Sequence, residues 1–420
     1  MSDFAAFIGI DWADKKHDLC LVEATTGRKE SRVLKHTPEV LDEWVRSLST
    51  RFPGQPLAVC LEQSRGPLIF ALLKYDFLTL YPINPATLAH YREAFAPSRA
   101  KDDPTDADFL VEILRQHRDR LKPWFPDDLL TRTLQALVEY RRRLVGDRTR
   151  ISNRLTALLK GYFPQVLAWF PDLRTTLVCD FLSRWPTLEA VQRARAATLT
   201  DFLRAHHSAR PDLLARRLQA IKLGVPLTTD PAVINSSRVK LKALVAQLRT
   251  TLAALSEVET EIEALCQQHP DYYLFTSLPG SGSIYAARLL AALGTQRDRF
   301  ASADELACLS GIAPVIERSG QSTWIRWRYF CPKFLRQSFH EYAGESIKHS
   351  VWAKAYYATQ RAKGKSHHAA VRALAFKWVR IIWKCWQTRT PYDEAAYLES
   401  LRRRNSPLLA SLASAPAAVE

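Results

Sequence analysis

The sequence has no run of the ~18 uncharged apolar residues that a bilayer-spanning helix needs. Its start, Met1-Ser2-Asp3-Phe4, has neither the basic residues nor the apolar stretch of a secretory leader. A membrane-spanning or secreted protein is therefore not expected. Cysteine is sparse: Cys20, Cys60, Cys179, Cys266, Cys308, Cys331 and Cys385 are odd in number and none forms a Cys-x-x-Cys pair. That excludes a disulfide framework and a zinc ribbon, and the seven read as buried thiols of a reducing cytoplasm. Internal repeats, long low-complexity segments and a phosphate-cradling nucleotide motif are all absent. Acid is short, with 43 Asp and Glu against 59 Lys and Arg. What is present is apolar: 47% of 420 residues are hydrophobic, enough for a sizeable core and a length suited to two or three domains.

The excess of base, +16 overall, calls for a polyanionic partner, either nucleic acid or an acidic membrane surface. Its distribution is uneven. Residues 1–125 hold 17 basic and 18 acidic residues, so all the excess lies downstream. A neutral, acid-containing head joined to a basic body fits a catalytic module on a polyanion-binding one, although a basic solvated surface gives the same composition.

Residues 1–125 read as α/β. Short apolar strands are expected at 7–11, 18–22, 31–35, 57–61 and 78–81, with helices at 38–48 and 68–75. Three strands followed by alternating helix and strand is the order of a ribonuclease-H-like sheet, among several α/β options. Residues 126–268 are mostly helical. A long run over 129–159 has a basic face (Arg141, Arg142, Arg143, Arg148, Arg150, Arg154). Later, Leu241, Leu244, Leu248, Leu252, Leu255, Val258, Ile262 and Leu265 recur at three- or four-residue steps. That spacing predicts a coiled-coil seam or a helical hairpin on the earlier run. An inserted subdomain occupies about 160–235 between them. A second compact unit is expected over 270–395 and a mobile tail over 396–420.

Four acids in the head are suggestively placed. Asp11 ends the first strand and Glu62 ends the strand at 57–61. Asp103 and Asp106, three residues apart, share one face of a helix opened by Pro104. Such a set can chelate one or two Mg²⁺ ions, which want oxygen ligands and can clamp a scissile phosphodiester. The alternative stays open: Asp103 as an N-cap, with Asp106 complementing the helix dipole. Asp102 and Asp108 read as solvated bystanders, and His17 as a strand-edge residue.

In the basic body, Leu278-Pro279-Gly280-Ser281-Gly282 feeds a helix. Gly280 and Gly282 let backbone N–H groups approach a phosphate, as in half of a helix-hairpin-helix, or simply make a turn. Ser319, beside Gly320 and flanked by Arg318, Arg326 and Arg328, can attack a phosphodiester held by guanidinium groups, or be ordinary loop chemistry. Residues 316–404 hold 18 basic and 6 acidic residues, interleaved with Trp324, Trp327, Tyr329, Phe330, Phe334, Trp352, Tyr356, Tyr357, Trp378, Trp383 and Trp386. Basic side chains neutralise phosphates and aromatic faces stack bases, though many of these rings must be core.

Several segments fall in a characteristic order: Ile8-Gly9-Ile10-Asp11, Leu61-Glu62, Tyr81-Pro82-Ile83-Asn84-Pro85, Lys101-Asp102-Asp103-Pro104-Thr105-Asp106-Ala107, Leu278–Gly282, Arg299-Phe300, Leu306-Ala307, Gly311-Ile312-Ala313-Pro314, Ser319-Gly320-Gln321-Ser322 and Cys331-Pro332-Lys333-Phe334-Leu335-Arg336. With them the chain resembles, over nearly its whole length, transposases of the insertion-sequence one-ten family, in the eleven-eleven-like branch. These are DEDD transposases, bridge-RNA-guided serine recombinases.

The resemblance implies a RuvC-like (ribonuclease-H-like) domain, a central helical coiled-coil region and a mainly helical C-terminal serine transposase domain. It implies Mg²⁺ held by Asp11, Glu62, Asp103 and Asp106, and Ser319 as the nucleophile. Nucleic-acid contacts would come from Gly280, Gly282, Arg318, Arg326, Arg328, Lys333 and Arg336. The implied partners are DNA (element ends and target), a structured non-coding guide RNA and further copies in a tetramer, a dimer of dimers with the coiled coil supplying contacts. The setting would be a prokaryotic cytoplasm, at the nucleoid. One rival is a Mg²⁺-dependent RuvC-like nuclease acting on branched DNA without a serine intermediate. Another is a nucleic-acid-binding protein with no activity.

Overall fold

The computed structural model describes residues 3–62, 66–95 and 103–408, without the side chain of Asp103. The chain divides into two compact units, Met1–Pro126 and Asp127–Glu420.

The first is mixed α/β. Strands β1 (Ala6–Trp12), β2 (Lys16–Glu23) and β3 (Lys29–Lys35) run antiparallel, and helix α1 (Pro38–Arg51) crosses to β4 (Leu57–Leu61), parallel to β1. Helix α2 (Pro67–Leu72) then leads to β5 (Leu78–Pro82), parallel to β4, giving the order β3-β2-β1-β4-β5. Helices α3 (Pro85–Phe95) and α4 (Asp103–His117) complete the unit. α1 starts where Thr37 accepts a hydrogen bond from the Val40 amide and Pro38 takes the first turn.

All five residues of β4 are buried, because both faces of the sheet are covered. Ala6, Ile8 and Ile10 pack with α1 and α2 on one face, whereas Phe7, Ala58 and Cys60 pack with Ala107, Leu110 and Val111 of α4 on the other. Gly9 lies on the α4 side. A Cβ there would sit 2.1 Å from the Ala107 carbonyl oxygen, so only glycine lets the helix lie this close.

The second unit is mostly helical. Its spine is α5 (Leu129–Tyr162) against α11 (Pro231–Gln268). Leu134, Val138 and Leu144 share a core with Leu255, Val258 and Ile262, whereas Ile151, Leu155 and Leu159 share another with Leu241, Val245 and Leu248. The two helices are therefore antiparallel. Five of the eight expected seam positions are buried (Leu241, Leu248, Leu255, Val258, Ile262), within this intrachain hairpin. Between them α6 (Gln165–Trp169), α7 (Thr176–Arg184), α8 (Leu188–Gln192), α9 (Ala196–Ala205) and α10 (Pro211–Leu223) enclose Phe163, Phe181 and Trp185.

Beyond the spine come α12 (Tyr272–Thr276), α13 (Gly282–Leu293) and α14 (Ala303–Leu309), then the hairpin β6 (Val315–Ser319) and β7 (Ser322–Arg326). Four helices follow: α15 (Lys333–Ser346), α16 (Val351–Ala362), α17 (His367–Thr388) and α18 (Glu394–Arg403).

Several expectations need correcting. Trp352, Trp378 and Trp386 are fully buried. Their indole N–H groups donate to Tyr392 Oη, Ser346 Oγ and the Gly294 carbonyl, so they are core rather than stacking platforms. Residues 396–403 are helical, and Leu401 and Leu408 are buried, so the tail does not begin at 396; residues 409–420 lie outside those described. Cys308 is exposed rather than buried. His17 is no edge residue, because β2 lies between β3 and β1 and buries it completely. Asp108 is half-buried and bonds Lys29 Nζ at 2.7 Å.

Candidate catalytic and nucleic-acid-binding surfaces

In the parallel β1–β4 ladder Ile10 pairs with Leu61, so Asp11 and Glu62 are the next residues at the same end of two adjacent strands. Alternation places Asp11 with Phe7 and Gly9, and Glu62 with Ala58 and Cys60. Both carboxylates thus belong to the face covered by α4. The close approach of Ala107 to Gly9 brings the turn carrying Asp106 against β1.

Asp106 is buried, and its carboxylate has a partner that the sequence did not disclose. Arg92 of α3 donates from Nε to Oδ1 at 2.7 Å and from Nη2 to Oδ2 at 2.5 Å. A buried carboxylate needs such a countercharge. Asp103 is placed only as the first residue of α4, and Lys101 and Asp102 lie outside the described residues.

Among the described residues no group of three or more His, Cys, Asp or Glu is arranged to hold a metal ion. The donors are nonetheless of the right kind, since hard divalent ions take carboxylate oxygens. Asp11, Glu62 and Asp106 are thus of the donor type Mg²⁺ takes, while both Asp106 oxygens are engaged by the Arg92 guanidinium.

Beside this end of the sheet, Trp12 pairs across strands with His17, whose Nε2 lies 2.8 Å from His36 Nδ1. Burial, then the neighbouring His36, pushes His17 down to about 4.

In the second unit the β6–β7 register pairs Ser319 with Ser322, Arg318 with Thr323, Glu317 with Trp324, Ile316 with Ile325 and Val315 with Arg326. Gly320, at φ +56°, helps to make the two-residue turn. Directly opposed residues share a face, so Ser319, Glu317, Trp324 and Arg326 lie on one side, and Arg318, Ile316 and Ile325 on the other. Ser319 is exposed.

The basic residues expected around the serine separate. Arg326 shares its face and pairs with Glu317 at 3.1 Å, whereas Arg318 lies on the opposite face. Arg328 turns inward, its Nε 3.4 Å from the Ala313 carbonyl. Arg336 donates to the Arg328 carbonyl and lies over Trp327, as does Arg372. Lys333 opens α15 and is exposed.

Of the two glycines before α13, Gly280 answers to packing: a Cβ there would meet the His349 ring at 2.3 Å. Gly282, at φ +51°, faces open space and leaves room for a ligand at the helix start. Arg299 of the Arg299-Phe300 pair is structural. It binds Asp127 at 2.7 Å and, against the cost of burial, helps hold that carboxyl below its usual range.

The arrangement is that of a protein with an acid-bearing α/β head and a basic helical body that presents an exposed serine. A family model described as "Transposase" matches residues 8–164, and one described as "Transposase IS116/IS110/IS902 family" matches residues 272–358. The chain belongs to the IS110-family transposases. It is 29% identical to a Streptomyces coelicolor mini-circle protein of IS117, over 97% of this chain and 98% of that one. It is also 26% identical to the 42 kDa protein of insertion element IS900 from Mycobacterium paratuberculosis, over 92% of this chain and 97% of that one. No described helix is long and apolar enough to cross a membrane.

Proposed function

We propose that this chain is a DNA-processing enzyme that excises and inserts a mobile element, with Ser319 as nucleophile. The observation that carries the reading is the exposure of Ser319 at a hairpin tip in a member of this family. Ser319 Oγ attacks the scissile phosphorus, forming a Ser–O–P bond as the P–O bond to one DNA strand breaks; its proton leaves with the departing oxygen. A DNA hydroxyl then attacks the phosphoserine and releases Ser319, so phosphodiester energy is conserved. Arg326, on the same face and ion-paired with Glu317, would hold a phosphate oxygen.

The head is read as a RuvC-like domain, an assignment supported by its strand order and by the placement of Asp11 and Glu62. Bound by Asp11, Glu62, Asp103 and Asp106, Mg²⁺ would supply charge stabilisation at the phosphate. We read residues 126–268 as a helical domain and 270–395 as the serine transposase domain. A structured guide RNA would choose the sites, leaving the basic body to grip backbone, and a tetramer in a prokaryotic cytoplasm, at the nucleoid, would be the working form.

Two substitutions separate the rivals. Ser319→Ala abolishes strand cleavage in this account, whereas a metal-only nuclease keeps it. Asp106→Asn abolishes cleavage here, whereas a protein with no catalytic role shows no change in any activity.

A further inference from the structure

The aromatic side chains of the basic body fall into two sets. Trp352, Trp378 and Trp386 are in the core, but Trp324, Tyr329 and Phe330 are 49%, 76% and 78% exposed. Within residues 316–404 the exposed large rings are these three, all in the hairpin and the segment that follows it; elsewhere in the body Tyr140 and Tyr273 are also exposed, at 47% and 48%. Trp324 is paired one step beyond Arg318–Thr323 in a ladder that ends at Ser319–Ser322, on the serine's face.

The segment carrying Tyr329 and Phe330 is braced at several points. Trp327 lies under Arg336 and Arg372, Arg328 reaches Ala313 and Arg336 holds the Arg328 carbonyl. A Cβ on Gly311 would meet Cys331 Sγ at 2.3 Å, so the chain is also tightly packed just after Phe330. The backbone is fixed while two consecutive rings point away from the protein.

Large rings held in solvent by a braced backbone point to an interaction surface. Three features identify its partner. The exposed apolar group on the serine's face is a flat ring, and the exposed aliphatic Ile316 and Ile325 lie on the opposite face of the hairpin. The segment 316–404 that contains them has three times as many basic as acidic residues. The ring on the serine's face lies within two ladder steps of the proposed nucleophile.

We infer that Trp324, with Tyr329 and Phe330, is a stacking platform for unpaired nucleic-acid bases beside the strand that Ser319 attacks. The platform holds bases lifted out of the duplex, so the enzyme engages a locally opened strand. This rests on the proposed role of the hairpin and adds the class of substrate conformation it takes.

The test measures binding of a fluorescein-labelled oligothymidylate, and of a duplex of equal length, to the full chain by anisotropy. Trp324→Ala weakens single-strand binding about 5-fold or more, the lower end for losing one stacked base, and changes duplex binding little. Trp324→Phe restores most of it, and Tyr329→Ala with Phe330→Ala deepens the loss. Equal losses for both DNAs, or none, overturn the platform. So does a fall in molar mass by light scattering in Trp324→Ala, which would show a second copy seated there. Strand cleavage by Ser319→Ala is read separately: if it persists, the proposed chemistry fails, whatever Trp324 does.

Discussion

Arg92 and Asp106 form a two-pronged ion pair between α3 and α4, with both nitrogen–oxygen distances at or below 2.7 Å and the carboxylate buried. Because Asp106 is a proposed Mg²⁺ ligand, any divalent ion it binds must contend with this guanidinium. Arg92→Gln is expected to tighten Mn²⁺ binding several-fold in titration calorimetry of the full chain, and Asp106→Asn to abolish it. Weaker binding in Arg92→Gln would mean that the pair positions the carboxylate rather than competing for it.

Gly9 supports the same site from beneath. Gly9→Ala sets a methyl group 2.1 Å from the Ala107 carbonyl oxygen and forces α4 off the sheet. The expected cost is about 1–3 kcal/mol or more, read from urea unfolding. Gly161→Ala, near the end of α5 with nothing within 4 Å of the new methyl, is neutral or slightly stabilising. Equal stability of the two variants would contradict the close packing.

His17 gives the fold a pH dependence of known sign. Its folded pKa lies near 4, below the unfolded value of 6.5, so between these the unfolded chain binds more protons. Its contribution is present above 6.5, declines as pH falls from there and levels off below about 4. The loss is up to about 3 kcal/mol. Urea midpoints at about pH 7.5 and about pH 5 should differ more for wild type than for His17→Gln. An identical pH dependence in the two would remove His17 as the cause.

Much of the architecture was legible in the residues because it depends on local pattern. The apolar runs at 7–11 and 57–61 can hardly be anything but buried strands, and the leucine steps from 241 to 265 mark one face of a long helix. That this face packs on α5 of the same chain, rather than on another subunit, needed the antiparallel register. Asp11 and Glu62 were legible as strand ends, but their shared face follows only from the Ile10–Leu61 pairing.

Arg92 was missed because its partner is fourteen residues away on another helix, and no spacing rule links them. Arg318 adjoins Ser319 in sequence and was expected to serve it. Strand alternation turns it to the other face, and cross-strand pairing brings Trp324 and Arg326 to the serine's side instead.

The covalent role of Ser319 is tested by mass spectrometry of the full chain trapped on labelled element-end DNA with Mg²⁺ and guide RNA. A nucleotide covalently attached to the peptide carrying Ser319 is expected, absent from both Ser319→Ala and Asp106→Asn. DNA cleavage without any such adduct, or cleavage that persists in Ser319→Ala, would contradict it.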